Sequence, residues 1–249
     1  RKQIDVVDAR LLAVMQRGHK KVLLRLGCIT SLEHDLDAPL IKELSDCASR
    51  IELRHGTSGK LLSEFERNEL DAFLSSQPFF DCKDVYRRFL FSEPNVLVVP
   101  ASASIPEHPT WENLRFCGLP KIGFSTRSSN GEFERLYFQK QTTEFVESIV
   151  SDDVDPIFDF VEYGLGWGIV TPIFIPFKTS RYRNLRILPM PEPVARRDVY
   201  VLGRNEETYK GIIDKMAQVS RRQVETLYHD CIAKHCPWLE GSLHLSEPT

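Results

Sequence analysis

The chain has 249 residues, 42% hydrophobic and 27% charged, with 32 Lys and Arg against 35 Asp and Glu. That composition belongs to a folded globular protein rather than a disordered chain, and the net charge of −3 excludes a chain that holds nucleic acid by bulk charge. The length suits one large or two modest domains. No apolar stretch reaches the roughly 18 residues of a membrane-spanning helix. The opening residues Arg1, Lys2, Gln3, Ile4 and Asp5 alternate charge where an export signal would be apolar. The six cysteines at 28, 47, 82, 117, 231 and 236 are scattered, which predicts reduced thiols in a cytoplasmic protein.

Residues 1–18 read as a helix. Ile4, Val7, Leu11 and Val14 follow the 3,4,3 spacing of a heptad seam, too short to stand alone and therefore suited to a partner helix. From residue 22 the pattern alternates. A strand is expected at 22–29, a helix at 33–49, a strand at 50–54, a helix at 60–68 and strands at 70–74 and 95–99. A second block repeats this order, with a strand at 121–124, a helix to about 141 and a strand at 145–150. Asp155, as N-cap, and Pro156 open a helix that ends at Gly164. Strands follow at 167–170, 185–188 and 198–203, then a long helical region at 205–234 and a loose tail from Pro237. Such alternation predicts an α/β protein with parallel strands covered by helices.

In sheets of this kind ligands sit beyond the carboxyl ends of the strands. Those ends carry Thr30 and Ser31; Thr57 and Ser58; Ser102 and Ser104; Ser125, Thr126, Arg127 and Ser128; and Ser151 with the residues to Asp155. Hydroxyls and free helix N–H groups together suit a small anion such as a carboxylate, with Arg127 as a bidentate partner. Each hydroxyl taken singly is most simply a helix cap. Trp167 reads as a core or cleft-wall aromatic. His229, Cys231, His235 and Cys236 form one metal-like cluster, but no second ligand pair accompanies it, and neither a metal nor a cofactor is expected. Charge is patchy: seven basic residues to two acidic over 1–25, seven acidic and no basic over 141–177, and six basic to one acidic over 178–197.

Four segments in this order resemble the LysR-type transcriptional regulators: residues 24–31; the run Gly56-Thr57-Ser58-Gly59-Lys60 continuing to Asp71; residues 93–100; and Val161-Glu162-Tyr163-Gly164-Leu165-Gly166-Trp167-Gly168 continuing to Pro172. The likeness covers about residues 1–235. The usual D-x-A-I after the second helix is replaced by Asp71-Ala72-Phe73-Leu74, the stretch 76–88 is not diagnostic, and residues 178–197 and the tail match nothing in the family pattern. The resemblance implies a type 2 periplasmic-binding-protein-like fold of two α/β subdomains joined by crossover strands near 95–100 and 198–203. It divides the chain into a linker helix at 1–21, subdomain I at 22–99 and 204–236, subdomain II at 100–203 and a tail at 237–249. It further implies a small effector, often a carboxylate or aromatic metabolite, contacted by Thr30, Ser31, Thr57, Ser58, Ser102, Phe124, Ser125, Thr126 and Val154; Arg127 and Trp167 complete the candidate set. The linker helix would pair with another subunit in a dimer or tetramer. DNA would be reached only through a winged helix-turn-helix domain upstream of Arg1. The expected function is sensing without catalysis. The rival readings are a solute-binding protein of a transporter and a small-molecule enzyme on the same scaffold. Replacing Thr57 or Ser125 with Ala is expected to weaken effector binding.

Overall fold

A computed structural model describes residues 22–126, 128–141, 144–175 and 182–246. The linker helix, with Ile4, Val7, Leu11 and Val14, and the Arg127 position lie outside the described residues. The chain builds two α/β halves. In the first, β1 (Val22–Ile29), β2 (Ala48–Gly56), β3 (Ala72–Ser75), β4 (Val85–Pro94) and β10 (Arg196–Arg204) form one sheet of order β2-β1-β3-β10-β4. β1 runs parallel to β2 and β3, whereas β10 is antiparallel to both its neighbours. Helices α1 (Glu33–Leu44), α2 (Ser58–Glu66) and α6 (Glu207–Leu227) pack on it. Leu36, Leu40 and Leu44, one turn apart on α1, are all buried. Gly27 of β1 is required by crowding: a Cβ there would lie 2.8 Å from the Phe73 Cβ and 2.9 Å from Leu61.

In the second half, β5 (Val96–Pro100) lies between β8 (Gly168–Val170) and β9 (Leu185–Pro189), and β6 (Lys121–Phe124) pairs in parallel with β7 (Glu147–Ser151). A bridge between Lys121 and Trp167 joins β6 to the chain entering β8. Helices α3 (Trp111–Phe116), α4 (Ser129–Gln141) and α5 (Asp155–Glu162) complete this half. α5 ends as expected from sequence. Gly164 has φ +73°, its N–H donates to the Val161 carbonyl, and Leu165 N–H reaches back to Phe160. This double bond pattern closes a helix with a left-handed glycine. Its start differs: Val154 occupies the N-cap position with no side-chain cap, and Asp155 already lies in the first turn.

The halves meet at two adjacent passages. β4 runs into β5 through Asn95, and the chain returns through residues 190–195 into β10. Pro94 is paired with Arg196 and Val96 with Pro189, so the passages lie side by side. The Asn95 backbone N–H and Nδ2 both donate to the Ala195 carbonyl, at 2.8 and 3.1 Å. The expected division at 99/100 and 203/204 therefore runs through strands: β5 belongs to the second sheet and β10 to the first.

Three stretches that the sequence left unassigned or read as loose have defined places in the structure. The undiagnostic stretch leads into β4, whose first residues are half-exposed and carry Arg87 and Arg88. Arg87 folds back onto the carbonyls of Pro78, Phe79, Cys82 and Val85 and closes the preceding loop, so a charged residue serves a structural end. The tail is not loose over its described part. Leu239 is buried, and His244 exchanges backbone hydrogen bonds with Ser92 at 2.8 and 2.9 Å, covering the β4 edge. The basic run is partly internal: Arg186 donates to the Ala103 and Ile105 carbonyls, and Arg196 to those of Ser92 and Ser242. His235 Nδ1 is bonded to the Cys231 carbonyl at 2.9 Å, and among the described residues no group of three His, Cys, Asp or Glu is placed to hold a metal. Likewise no described helix is long and apolar enough to cross a membrane.

Candidate functional site

A small pocket lies at the seam beside the Asn95 passage. Phe124 ends β6; Asn130, Phe133 and Glu134 come from the first turns of α4; Ile169, Val170, Thr171 and Phe174 come from β8 and the 3₁₀ turn Pro172–Phe174. Three phenyl rings and two branched aliphatics make the walls apolar, while two amides, a carboxyl and a hydroxyl are the polar groups, and the enclosed space has room for about one water molecule.

Glu134 and Thr171 are only 4% and 3% exposed, and Glu134 Oε1 and Thr171 Oγ1 have no well-aligned hydrogen-bond partner. The other carboxyl oxygen of Glu134 is held by Lys121 Nζ at 2.5 Å, and Lys121 also contacts Glu147 at 2.7 Å. Burial pushes the Glu134 pKa up, with Lys121 acting against it.

Behind Phe174 lies a second polar group. Arg197 Nε donates to Glu93 Oε1 at 3.0 Å and its Nη2 closes on the same oxygen. Arg197 Nη1 donates to Ser31 Oγ at 3.0 Å, and the guanidinium sits 5.1 Å from the Phe174 ring centre. The other oxygen of Glu93 accepts from the Tyr228 hydroxyl at 2.7 Å and the Ile173 N–H at 3.3 Å. This cluster gathers the ends of β1, β4 and β10, the π-helical turn Tyr228–Ile232 after α6, and the 3₁₀ turn of the second half. It ties the second half to the first directly behind the pocket wall.

The hydroxyls expected at the site are spent locally. Thr57 caps α2 by accepting from Lys60 N–H at 3.3 Å, and buried Ser58 bonds to Ser76. Ser128 caps α4, accepting from Gly131 N–H at 3.1 Å and donating to the Ser125 carbonyl at 2.8 Å. Thr30 and Ser102 are exposed, Thr126 is exposed and Ser125 is half-buried. Val154 is buried in the main core. Trp167 is fully buried in the second core, edge-on to Phe145 with ring centres 5.1 Å apart. Of the expected contacts Phe124 lines the pocket, and Ser31 reaches its rear wall through Arg197.

Sequence reading missed Asn130, Phe133, Glu134 and Phe174 outright. Asn95 and Thr171 stood inside segments carrying the family likeness, and Arg197 was counted only as one of a basic run.

The pocket depends on how closely α4 approaches β6. A Cβ on Gly131 would lie 2.1 Å from the Ser125 carbonyl oxygen and 2.7 Å from that of Phe124, both backbone atoms. Gly131→Ala must therefore push α4 away. The expected cost is about 2–3 kcal/mol, in the range of overpacked sites. Urea denaturation of the variant checks it; an unchanged midpoint would show that α4 has slack.

The comparisons agree with this architecture. Residues 17–222 match the LysR substrate binding domain family. The chain belongs to that family, the effector-binding domain of LysR-type regulators. Compared by sequence with curated proteins, it has no match. Among solved structures it is similar to the reduced regulatory domain of OxyR2 from Vibrio vulnificus, with TM-score 0.69, 19% identity, and coverage of 82% of this chain and 96% of that one. Full-length OxyR from Pseudomonas aeruginosa gives TM-score 0.68 at 19% identity, covering 92% of this chain and 77% of that one. An OxyR cysteine mutant from Corynebacterium glutamicum gives 0.69 at 13% identity, covering 92% and 73%. At these identities the likeness is one of fold.

Proposed function

We propose that this chain is the sensing part of a transcriptional regulator. A small molecule binds in the seam pocket and biases the angle between the two halves. The observation that carries this reading is the match of residues 17–222 to the LysR substrate binding domain family, with the seam beside the passage where the halves join as the place for the ligand. A ligand that prefers one angle shifts the population toward it. The moving bodies in this proposal are 22–94 with 196–246, and 96–189, with Asn95 and residues 190–195 between them.

The effector contacts at Thr30, Ser31, Thr57, Ser58, Ser102, Ser125, Thr126 and Arg127 remain part of the proposal as an outer rim for a larger ligand. The seam of Ile4, Val7, Leu11 and Val14 would pair with a second subunit, and the changed angle would be passed through that oligomer to a DNA-binding domain. The proposed action is binding and release, without turnover. Two of the six thiols, Cys28 and Cys236, fit a ligand sensor better than a redox sensor. No cysteine lines the pocket, and burial pushes Cys28 well up and Cys236 to about 11, away from the reactive thiolate.

A thermal-shift screen of small metabolites tests the reading. A ligand present at 100 times its Kd adds about 2.7 kcal/mol, which raises the Tm by roughly 5–10 °C. Phe174→Ala and Phe124→Ala should abolish that shift. A hit that stabilises both variants as well as the parent would place its site elsewhere.

A further inference from the structure

We propose that the C-terminal segment 237–246 is a strap that sets how firmly the two halves are held together, and that its release loosens the joint at Glu93. The proposal rests on the sensing reading above and adds a means of regulating it. After the π-helical turn Tyr228–Ile232 the chain stays on the molecule. Cys236 N–H donates to the Ile232 carbonyl at 2.8 Å, Leu239 N–H to that of Cys236 at 2.9 Å and Ser242 N–H to that of Leu239 at 3.0 Å. Gly241, at φ +74°, lets the chain turn back toward the first sheet. Residues 243–245 then alternate as a strand does: Leu243 and Leu245 pack on the main core, and His244 faces out.

The strap is fastened beside the joint. His244 and Ser92 exchange backbone hydrogen bonds, and Arg196 Nη2 donates to the Ser92 carbonyl at 2.8 Å and to the Ser242 carbonyl at 2.7 Å. Arg196 Nε adds a bond to Ser92 Oγ at 3.0 Å. Ser92 precedes Glu93, whose carboxylate accepts from Ile173 N–H of the second half and from the Tyr228 hydroxyl at the root of the strap. Glu93 is thereby bracketed: the end of the strap fixes its backbone, and the root of the strap fixes its side chain. Arg196 follows Ala195, whose carbonyl receives both Asn95 bonds. Without the strap, Ser92 loses the partner of its N–H, and the end of β4 is free to carry the Glu93 carboxylate away from Ile173. A terminal segment held by a few backbone bonds opens more readily than the sheet beneath it, so the strap can let go while the first half stays folded.

Hydrogen exchange of single amides, followed by NMR, tests this on a chain ending at Cys236. The full-length double variant Leu243→Ser, Leu245→Ser is measured beside it, in case the shortened chain does not fold, and circular dichroism checks both. The expected result is that Ile173 N–H exchanges faster by roughly tenfold or more, while the Leu24 and Leu26 amides inside β1 keep the parent rate. Ile173 N–H is bonded to Glu93 and not to the strap, so a segment that only covered the β4 edge would not move it. A peptide of residues 237–249, added to the shortened chain at millimolar concentration, should restore the parent rate, and a scrambled peptide should not.

Faster exchange confined to Ser92 and its β4 neighbours, with Ile173 unchanged, would overturn the proposal and leave the segment as an edge cover. An equal rise at Ile173, Leu24 and Leu26 would overturn it too, because the strap would then act only on global stability. So would a peptide that fails to restore the rate, or unfolding of both variants, since a segment that cannot be released regulates nothing. All of these rates are measured without a ligand, so the strap can fail while the sensing reading stands or falls by its own screen.

Discussion

Arg197→Met is expected to destabilise the chain by about 3–5 kcal/mol, the cost of leaving a buried charge without its partner. Glu93 is fully buried and Arg197 8% exposed, so removing the guanidinium strands a carboxylate that water cannot reach. The Tyr228 hydroxyl and Ile173 N–H would remain as donors, and two neutral donors do not replace a cation. At 2–4 °C per kcal/mol for a chain of this size, the Tm should fall by roughly 10 °C. The loss belongs to the pair and not to the arginine alone. Arg197→Met combined with Glu93→Leu should recover most of it, since an apolar pair of similar volume is often no less stable than a buried ion pair. Calorimetry of the two variants decides the matter. If the single change costs less than about 1 kcal/mol, solvent reaches Glu93 and the cluster is not the dry joint described above.

The second large effect lies at the opposite end of the first sheet. Asp71 is 1% exposed and accepts from Arg25 N–H at 2.9 Å, Arg25 Nε at 3.2 Å, Arg25 Nη2 at 2.7 Å and Arg204 Nε at 3.3 Å. One carboxylate thereby links β1, the entry to β3 and the end of β10. Burial alone would raise its pKa. The Arg25 bonds and charge, with Arg204, outweigh burial and hold it below the usual carboxylate range. A carboxylate whose folded pKa is depressed contributes stability that is complete above its unfolded pKa of about 4, and this is lost as pH falls through the folded value. Asp71→Asn should cost about 2–3 kcal/mol at neutral pH, somewhat below a fully buried pair because both arginines keep some access to water. Its unfolding curve should also lose part of the parent's steep decline below pH 4. A variant that loses stability at pH 7 but declines with acid as steeply as the parent would show that other carboxylates control the acid limb.

Alternation of apolar runs with turn residues made the α/β plan legible, because strands such as β1 and β5 are buried on both faces and read as continuous apolar runs. Gly164 was legible for the same kind of reason: few other residues take its backbone angle. The start of β4 was not, because arginines that serve loop carbonyls interrupt its pattern. The described tail was not, because one buried leucine and one bridging histidine leave no period to detect. The site was the least legible part. Ser and Thr at strand ends invite a binding reading, yet here Thr57 and Ser128 satisfy neighbouring backbone and Ser58 bonds to Ser76. The atoms left open belong to Glu134, an ordinary residue in a helical stretch, and to Thr171, a residue before a proline. What brings them to one pocket is the three-dimensional arrangement alone.

The twin passages at Asn95 and 190–195 have a consequence for how motion in this chain can be observed. Both bonds from Asn95 end on one oxygen, that of Ala195, so they act as a pin. In the proposed motion the two neighbouring strands would turn about this pin, with the Glu93–Arg197 cluster and the shared core limiting how far. Any pair of probes placed within one half should then keep a fixed separation whatever the ligand. A pair with one probe on α1 and the other on α4 should change its separation as a single coordinate. Distance measurements by paired spin labels would reduce the response of the whole sensor to one angle, with the within-half pairs as internal rulers.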